Sequence, residues 1–476
     1  MGTPRLLSVL AGPHRPRARV AASLLVGVAA IAAYACGAED AVGTPPVEGE
    51  GEAGAQAESG ADTASTDAPF ARDSSSDGDA TPDAPLLSPT FVYRDINHVL
   101  STGQSLSVGA LGAPALSTAQ PYANTMFVTG VLAGGAGLTT FVPLVEGAVE
   151  TMSSSLANHV AKQARDVVLV GQPAGKTSHD LLLSGHGIGG TAYVGLKKGT
   201  AAYANGIAQA QAGRDLAVAA GKTHVVRAVT NVHGESDSNL ANAAYEANLL
   251  EWQSSYETDV KAITGQAEAI PMLHTQFSSW TRLTGLPTTS IIPSAQLAAH
   301  VNAPGKIVLV GAKYHLPYVA DGVHLTNEGY RHMGEDYAKV YRRVILEGRP
   351  WEPVRPKAIS RAGAVVTVKM FVPAPPLVLD TTIVSNPGDY GFEWVDEGPT
   401  PTIVSVAVSG PDTVLITLSA APGANARLRY AFTGTSGARG GPTTGPRGNL
   451  RDSDATPSRS GYALYNWCVH FDVPAP

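Results

Sequence analysis

The sequence has few cysteines and few charged side chains. Only two of its 476 residues are cysteine, Cys36 and Cys468, and neither lies in a Cys-x-x-Cys pair or a Cys/His cluster. Two cysteines exclude a disulfide framework, and we expect no metal and no cofactor. Hydrophobic residues make up 44% of the chain, which is long enough for two or three domains with ordinary cores.

Negative charge is concentrated in one stretch. The net charge is −7, but about a dozen Asp and Glu residues lie between Glu39 and Asp83, where Arg72 is the only basic residue. The rest of the chain is therefore close to neutral. Nothing in it suggests the basic surface that phosphate groups need, so we expect no nucleic-acid partner.

The longest apolar run is too short to cross a bilayer. It extends from Val20 to Ala35, after a basic stretch that ends at Arg17 and Arg19. About 16 residues are typical of a secretory signal, whereas a spanning helix needs about 20. Residues 33–36 (Ala-Tyr-Ala-Cys) resemble a bacterial lipobox with alanine where leucine is usual.

We therefore predict that residues 1–36 are a signal peptide and that Cys36 carries a lipid anchor to the membrane. Ordinary cleavage after Ala35 and an uncleaved anchor remain open alternatives. In the first two cases the protein is exported, either as a cell-envelope lipoprotein or as a secreted protein.

Residues 37–88 consist mainly of Ala, Gly, Ser, Thr, Pro and acidic residues. Such a segment cannot bury enough apolar surface to offset the entropy of ordering. We predict a disordered acidic tether, with a low-complexity leader of no particular role as the alternative.

Residues 89–350 alternate between strand-like and helix-like patterns. This alternation predicts an α/β fold, a parallel sheet with helices on both faces. The predicted strands are Asn97 to Ser101, Asp180 to Ser184, His224 to Val232, Ile270 to Gln276 and Lys306 to Val310; the predicted helices are Met152 to Val168, Ala241 to Ile263 and Thr326 to Ile345, the last with Thr326 as its N-cap.

Residues 352–476 show a different, two-residue period that predicts a small all-β sandwich. Its predicted strands are Ala364 to Val372, Thr402 to Val408, Thr413 to Leu418, Ala426 to Phe432 and Tyr462 to Phe471. We expect a surface loop from Thr433 to Gly461. Tyr465 and Trp467 are candidates for stacking on a sugar, although core packing is the more usual role of such residues, and we expect Cys468 to be a buried, inert thiol.

Two separated motifs contain the parts of an activated serine. Ser105 lies in Gly-Gln-Ser (103–105) directly after a predicted strand, which is where α/β proteins place reactive residues. Asp321 and His324 follow in Asp-Gly-Val-His, a spacing that lets the carboxylate orient the imidazole toward a serine. A Gly-Gln-Ser by itself is usually only a loop, and the Asp could be a helix cap.

Two further polar or glycine-rich segments lie between these motifs. Residues 185–191 (Gly-His-Gly-Ile-Gly-Gly-Thr) could direct backbone amides at an oxyanion, and their glycine spacing is wrong for a dinucleotide-binding loop. Residues 233–237 (His-Gly-Glu-Ser-Asp) follow a strand and could line a pocket or begin a helix. Glu235 and Asp237 are too close in sequence to flank a glycosidic bond as an acid and nucleophile pair.

In this order the four segments resemble the SGNH (GDSL-type) hydrolases, and within them the sialate O-acetylesterase-like, plant-type carbohydrate acetylesterase branch. The matching blocks are Gly-Gln-Ser at 103–105, Gly-Gly-Thr at 189–191, the block at 233–237 and Asp-x-x-His at 321–324. The resemblance covers about residues 90–347. It implies a three-layer, flavodoxin-like parallel-sheet domain.

The resemblance also implies residue roles. Ser105 would be the nucleophile, His324 the general base and Asp321 its orienting group. The oxyanion hole would use the Ser105 amide and an amide of Gly189 or Gly190. The family's third donor is a Gln side chain, and His233 occupies that position here.

Gln104, Gly234 and Glu235 would line the pocket. The expected function is that of an exported serine esterase that removes O-acetyl groups from carbohydrates through an acyl-enzyme. An SGNH esterase acting on lipid or other acyl esters, and a non-catalytic glycan-binding surface lipoprotein, are the alternatives. The oligomeric state stays open.

Overall fold

A computed structural model describes residues 91–165, 172, 173, 176 and 178–476. The predicted signal peptide, Cys36 and the predicted tether lie outside these residues. In the described part of the chain, no helix is long and apolar enough to cross a membrane.

A seven-stranded sheet forms the first half of the described chain. Its strands are β1 (Ile96–Gly103), β2 (Thr125–Phe127), β3 (Phe141–Pro143), β4 (Leu181–Gly185), β5 (His224–Val232), β6 (Met272–His274) and β7 (Ile307–Leu309). They lie in the order β3-β2-β4-β1-β5-β6-β7, and all neighbours are parallel except β2 and β3. The central strands β1, β4 and β5 are buried almost throughout, as parallel strands covered on both faces must be.

Helices cover both faces of this sheet, so the predicted α/β fold is confirmed. The core on one face includes Leu156 and Met333, and the core on the other includes Trp252 and Ile292. The helices are α1 (Met152–Gln163), α2 (Ala201–Ala219), α3 (Glu235–Asn239), α4 (Tyr245–Thr264), α5 (Ile292–Asn302) and α6 (Asn327–Tyr341).

Two helix boundaries differ from the prediction. Helix α1 ends at Gln163 rather than at Val168, and α4 begins at Tyr245 because the chain still turns at Ala241, which has a positive φ of 48°. The predicted cap of α6 is confirmed: the Thr326 side chain accepts a hydrogen bond from the amide of Gly329.

Antiparallel strands form the second half, as predicted. The strands are β8 (Arg355–Ala362), β9 (Val365–Phe371), β10 (Val378–Leu379), β11 (Phe392–Val395), β12 (Ile403–Val408), β13 (Thr413–Leu418), β14 (Arg427–Tyr430), β15 (Leu450–Arg451) and β16 (Phe471–Pro474). Four of them pair in the order β12-β13-β9-β8, three in the order β11-β14-β16, and β10 pairs with β15.

The predicted strand Tyr462 to Phe471 is wrong over most of its length. Only Trp467 makes an isolated bridge there, to Arg451, and regular pairing begins at Phe471. The segment instead packs irregularly: Trp467 is buried in the core of the second half, as is the free thiol of Cys468. Trp467 therefore cannot present a sugar-stacking face.

The two halves share their packing. Tyr314 from the first half lies in the hydrophobic core of the second, and its hydroxyl donates a 2.6 Å hydrogen bond to the carbonyl of Cys468. All described residues belong to one compact unit. The change from parallel to antiparallel strands falls between α6 and β8, close to the division predicted at residues 350–352.

Candidate active site

Ser105 lies at the carboxyl end of the central strand β1. It begins a short 3-10 helix, Ser105–Val108, directly after Gly103 and Gln104. Gly103 has a φ of +127°, and a Cβ atom there would lie 2.3 Å from the Val232 carbonyl oxygen, so only glycine allows this sharp exit from the strand. The turn presents a half-buried Ser105 at the sheet edge.

Asp321, His324 and Ser105 form a continuous hydrogen-bonded chain. Nδ1 of His324 lies 2.6 Å from Oδ2 of Asp321, and Nε2 of His324 lies 2.8 Å from Oγ of Ser105. Because a carboxylate only accepts hydrogen bonds, Nδ1 carries the ring proton and Nε2 is the acceptor for the serine hydroxyl. The structure thus brings together the three residues to which catalytic roles were assigned by prediction.

The Asp321 carboxylate is held in its charged form. Burial acts to raise the pKa of Asp321, but the hydrogen bonds from the His324 ring and from the amides of Val323 and His324 outweigh it, so the pKa lies below its usual value. The two amides are 2.8 and 3.0 Å from Oδ1. One oxygen therefore fixes the turn and the other orients the imidazole.

The glycine-rich loop lies beside Ser105. It is tied to β1 by backbone hydrogen bonds from Ile188 to the Gly103 carbonyl and from His186 to the Ser101 carbonyl, at 3.0 and 2.9 Å. A Cβ atom built on Gly189 would lie 3.8 Å from the Ser105 Cβ. Gly189 and Gly190 are both exposed. The predicted oxyanion loop is thus adjacent to the serine, and its role stays a prediction.

His233 does not offer a free donor. Its ring is buried, with Nε2 3.1 Å from the Thr191 carbonyl and Nδ1 2.7 Å from the Tyr245 hydroxyl. A carbonyl can only accept, so Nε2 donates to Thr191 and Nδ1 accepts from Tyr245. Burial lowers the pKa of His233, which keeps the ring neutral. The geometry does not support His233 as a third oxyanion donor and gives it a different task, holding the end of the glycine-rich loop.

The three residues predicted to line the pocket are buried. The Gln104 side-chain oxygen accepts a 3.1 Å hydrogen bond from the Ser236 amide, which ties the nucleophile turn to the start of α3. Gly234 packs so closely that a Cβ atom there would lie 3.1 Å from Phe277. These residues, with Glu235, connect the blocks beneath the site and do not form an open wall of it.

Glu235 forms a buried ion pair with Lys313 that the sequence analysis missed. Oε1 of Glu235 is 2.8 Å from Nζ of Lys313, and the two side chains are only 3% and 1% exposed. Burial acts to raise the pKa of Glu235, but the charge and hydrogen bond of Lys313 prevail and lower it. A lysine within the otherwise uncharged segment after β7 was the available signal.

A loop from the second half contacts the turn that carries Asp321 and His324. The Gly440 amide donates a 3.0 Å hydrogen bond to the Gly322 carbonyl, and Arg439 lies so close that a Cβ atom on Gly322 would be 2.2 Å from its Cβ. The ring of Tyr318 also packs against the glycines at 440 and 441. The predicted surface loop 433–461 thus forms part of the support of the site.

Similar proteins were found by two routes. Residues 171–343 match a family model described as carbohydrate esterase, sialic acid-specific acetylesterase. The matched stretch includes the glycine-rich loop, the block at 233–237 and the Asp321 and His324 motif, but not Ser105. The resemblance predicted from the four blocks, and with it the prediction of a carbohydrate acetylesterase type of enzyme, is confirmed at the level of the family. No curated protein matches the chain.

Among solved structures, a carbohydrate acetylesterase from Xanthomonas citri matches with a TM-score of 0.51 and 14% sequence identity, covering 79% of this chain and 80% of that chain. At this identity the likeness concerns the fold. A protein from Arabidopsis thaliana has a TM-score of 0.37 and 18% identity, covering 52% and 97% of the two chains. A carbohydrate acetylesterase from Sinorhizobium meliloti has a TM-score of 0.29 and 13% identity, covering 51% and 97%.

Proposed function

We propose that this protein is an exported serine esterase that removes O-acetyl groups from carbohydrates through an acyl-enzyme. The observation that carries the proposal is the hydrogen-bonded chain from Asp321 through His324 to Ser105, with separations of 2.6 and 2.8 Å. This is the arrangement in which a neutral imidazole can accept the proton of an attacking hydroxyl.

The reaction follows from this geometry. Ser105 Oγ attacks the ester carbonyl while Nε2 of His324 accepts its proton, and Asp321 stabilises the imidazolium that forms. The tetrahedral oxyanion is bound by the Ser105 amide and the amide of Gly189 or Gly190. His324 then protonates the departing sugar alcohol, and it activates the water that hydrolyses the acetyl-enzyme.

The openness of the site favours a bulky polar substrate. The side chain of His324 is 20% exposed and that of Asp321 is 37% exposed, and the neighbouring Gly189 and Gly190 are also exposed. An acetyl group needs little room on the acyl side, whereas a sugar ring or a polymer chain needs open space on the alcohol side. The exposed surroundings of the site provide that space.

Acetate release tests the proposed reaction. The purified full chain should hydrolyse 4-nitrophenyl acetate much faster than 4-nitrophenyl octanoate, and should release acetate from acetylated xylan or O-acetylated sialic acid. Ser105→Ala should reduce turnover by about 10⁴-fold. The matched control is Ser154→Ala, which removes a hydroxyl group from a buried serine of α1 that lies outside the hydrogen-bonded chain of Ser105, His324 and Asp321. Unchanged turnover in Ser105→Ala would refute the nucleophile, and faster hydrolysis of the octanoate would refute the acetyl preference.

We further propose export and anchoring by a lipid on Cys36, supported by the basic stretch, the short apolar run and the lipobox-like residues 33–36. In a bacterial host, labelled palmitate should be incorporated into the wild-type chain and not into Cys36→Ala, with Cys468→Ala as the control. Export without label would support simple secretion, and protein retained in the cytoplasm would contradict both proposals.

A further inference from the structure

Three side chains with metal-binding atoms converge outside the hydrogen-bonded chain of Ser105, His324 and Asp321. His315, His332 and Asp336 each place one such atom within 4.8 Å of the other two. Oδ2 of Asp336 is 3.5 Å from Nε2 of His315 and 3.9 Å from Nε2 of His332. In a tetrahedral zinc site with bonds of about 2.0–2.1 Å, the ligand atoms are about 3.3 Å apart. Small side-chain movements would therefore produce that geometry.

The nitrogens at this cluster have no other partners. Among the described residues, no hydrogen bond is made by either ring nitrogen of His315, by Nε2 of His332 or by Oδ1 of Asp336. The His315 side chain is only 5% exposed. A buried imidazole without hydrogen bonds is unfavourable, because its polar atoms have lost water without a replacement. A bound cation would satisfy these atoms.

A small cavity adjoins two of the three side chains of the cluster. A cavity of about 20 Å³ is lined by His315 and Asp336 together with residues of both halves, among them Thr275, Asn466 and Trp467. That volume accommodates a single water-sized particle.

One basic side chain lies next to the cluster. The nearest competing charge, Nζ of Lys339, is 3.7 Å from Asp336 Oδ1 but also binds Asn466 and Asp454.

Aromatic rings hold the two imidazoles in place. The ring of His315 is stacked on Trp467, and that of His332 is stacked on Tyr462 with centroids 4.6 Å apart. Such packing restricts rotation, so little entropy would be lost when a metal binds.

We propose that His315, His332 and Asp336 form a site for a divalent transition-metal ion of the zinc class. Two imidazoles and one carboxylate are a donor set that zinc accepts. His315 lies before the turn of Asp321 and His324, and His332 and Asp336 lie after it on α6. The ion therefore links the chain segments on either side of this turn and stabilises the position of the turn. This inference replaces the expectation of no metal, which rested on cysteine spacing.

Metal binding to the full chain is the test, and it is independent of esterase activity. Chelator-treated protein should take up one zinc ion per chain by calorimetry and mass spectrometry, with an increase in Tm of about 3 °C when free zinc exceeds the dissociation constant a hundredfold. Nδ1 of His315 lacks the outer hydrogen bond that strengthens most zinc-binding histidines, so we expect a reduced zinc affinity. The titration should therefore extend to micromolar zinc. Cobalt(II) bound in place of zinc should give the visible absorption of a site with nitrogen and oxygen ligands.

His332→Gln and Asp336→Asn should each abolish uptake and the Tm increase. The control is His300→Gln, because His300 pairs with one carboxylate, Glu352, at 3.2 Å and belongs to no group of three metal-binding side chains in the described part of the chain. His332 is preferred over His315 for substitution because its side chain is more exposed, 12% against 5%, and folding is easier to preserve. Absence of zinc binding by folded wild-type protein, or equal binding by wild type and His332→Gln, would overturn the proposal.

Discussion

Replacement of Glu235 by leucine should strongly destabilise the protein. Glu235 and Lys313 are 3% and 1% exposed, and their charged atoms are 2.8 Å apart. Leucine is apolar and of similar size, so it leaves the Lys313 ammonium buried without a counter-charge. Breaking such a pair from one side lowers the free energy of unfolding by about 3–5 kcal/mol.

The expected change in Tm follows from the size of the folded unit. With about 380 described residues, the unfolding entropy is about 0.8 kcal/mol/K, so the loss corresponds to a decrease in Tm of about 4–6 °C. Turnover should also fall, because Glu235 is followed by Ser236, whose amide holds the Gln104 side chain beneath the nucleophile turn.

Calorimetry and urea unfolding of a double-mutant cycle measure this effect. Glu235→Leu/Lys313→Met removes both charges and should recover stability to within about 1 kcal/mol of wild type. The surface control is Glu251→Leu, which breaks the exposed pair with Lys197 (47% and 37% exposed) and should change stability by less than about 1 kcal/mol. If Glu235→Leu behaved like Glu251→Leu, or if the double variant were less stable than the single, the reasoning from an uncompensated buried charge would be refuted.

Three further predictions concern single side chains. Asp321→Asn should lower kcat by about 10³-fold, because the amide favours the wrong tautomer of His324. The circular dichroism spectrum of the folded protein should change little. A loss in kcat below tenfold would contradict the assigned role. Gly322→Ala should lower both kcat and stability, since its φ is +68° and the new Cβ would contact Arg439, and Gly322→Ala/Arg439→Gly should recover part of each; no difference between these variants would contradict the contact. Burial raises the pKa of Glu146 from 4.5 to about 7. Between these two pH values the native state binds a proton that the unfolded state lacks, so the free energy of unfolding should decrease by about 3 kcal/mol as the pH rises from 4.5 to 7. Urea unfolding at pH 5 and 8 should show that Glu146→Gln removes this decrease, and an unchanged difference between the two pH values would disprove it.

The sequence was sufficient to predict the elements whose signals are local. The α/β class followed from the period of the hydrophobic residues, and the cap of α6 from a single threonine before a helix. Ser105 was recognised from its place after a strand, and Asp321 and His324 from a spacing that fits one turn. Each of these signals is carried by a few neighbouring residues, whereas the contact of His324 with Ser105 joins residues 219 positions apart and is seen only in the structure.

Strands in the second half were harder to predict. Tyr462 to Phe471 has the alternation of a strand, yet Trp467 makes only an isolated bridge and the chain around it packs irregularly. Strand β8 was missed because it contains many polar and exposed residues. Strand formation depends on a partner elsewhere in the chain, and a local pattern does not show whether that partner is present.

Tertiary structure alone decided what the buried polar residues do. His233 was identified by its position in a block, but Thr191 and Tyr245 occupy both of its ring nitrogens. Lys313 and Glu235 are paired across the ends of different strands. His315, which looked unremarkable in the sequence, meets His332 and Asp336. A buried polar atom must be satisfied by whatever atoms the fold brings to it, and those atoms come from segments far apart in the chain. The sequence by itself therefore determined which residues were candidates for the chemistry, and the fold decided which of them face Ser105 and which support it.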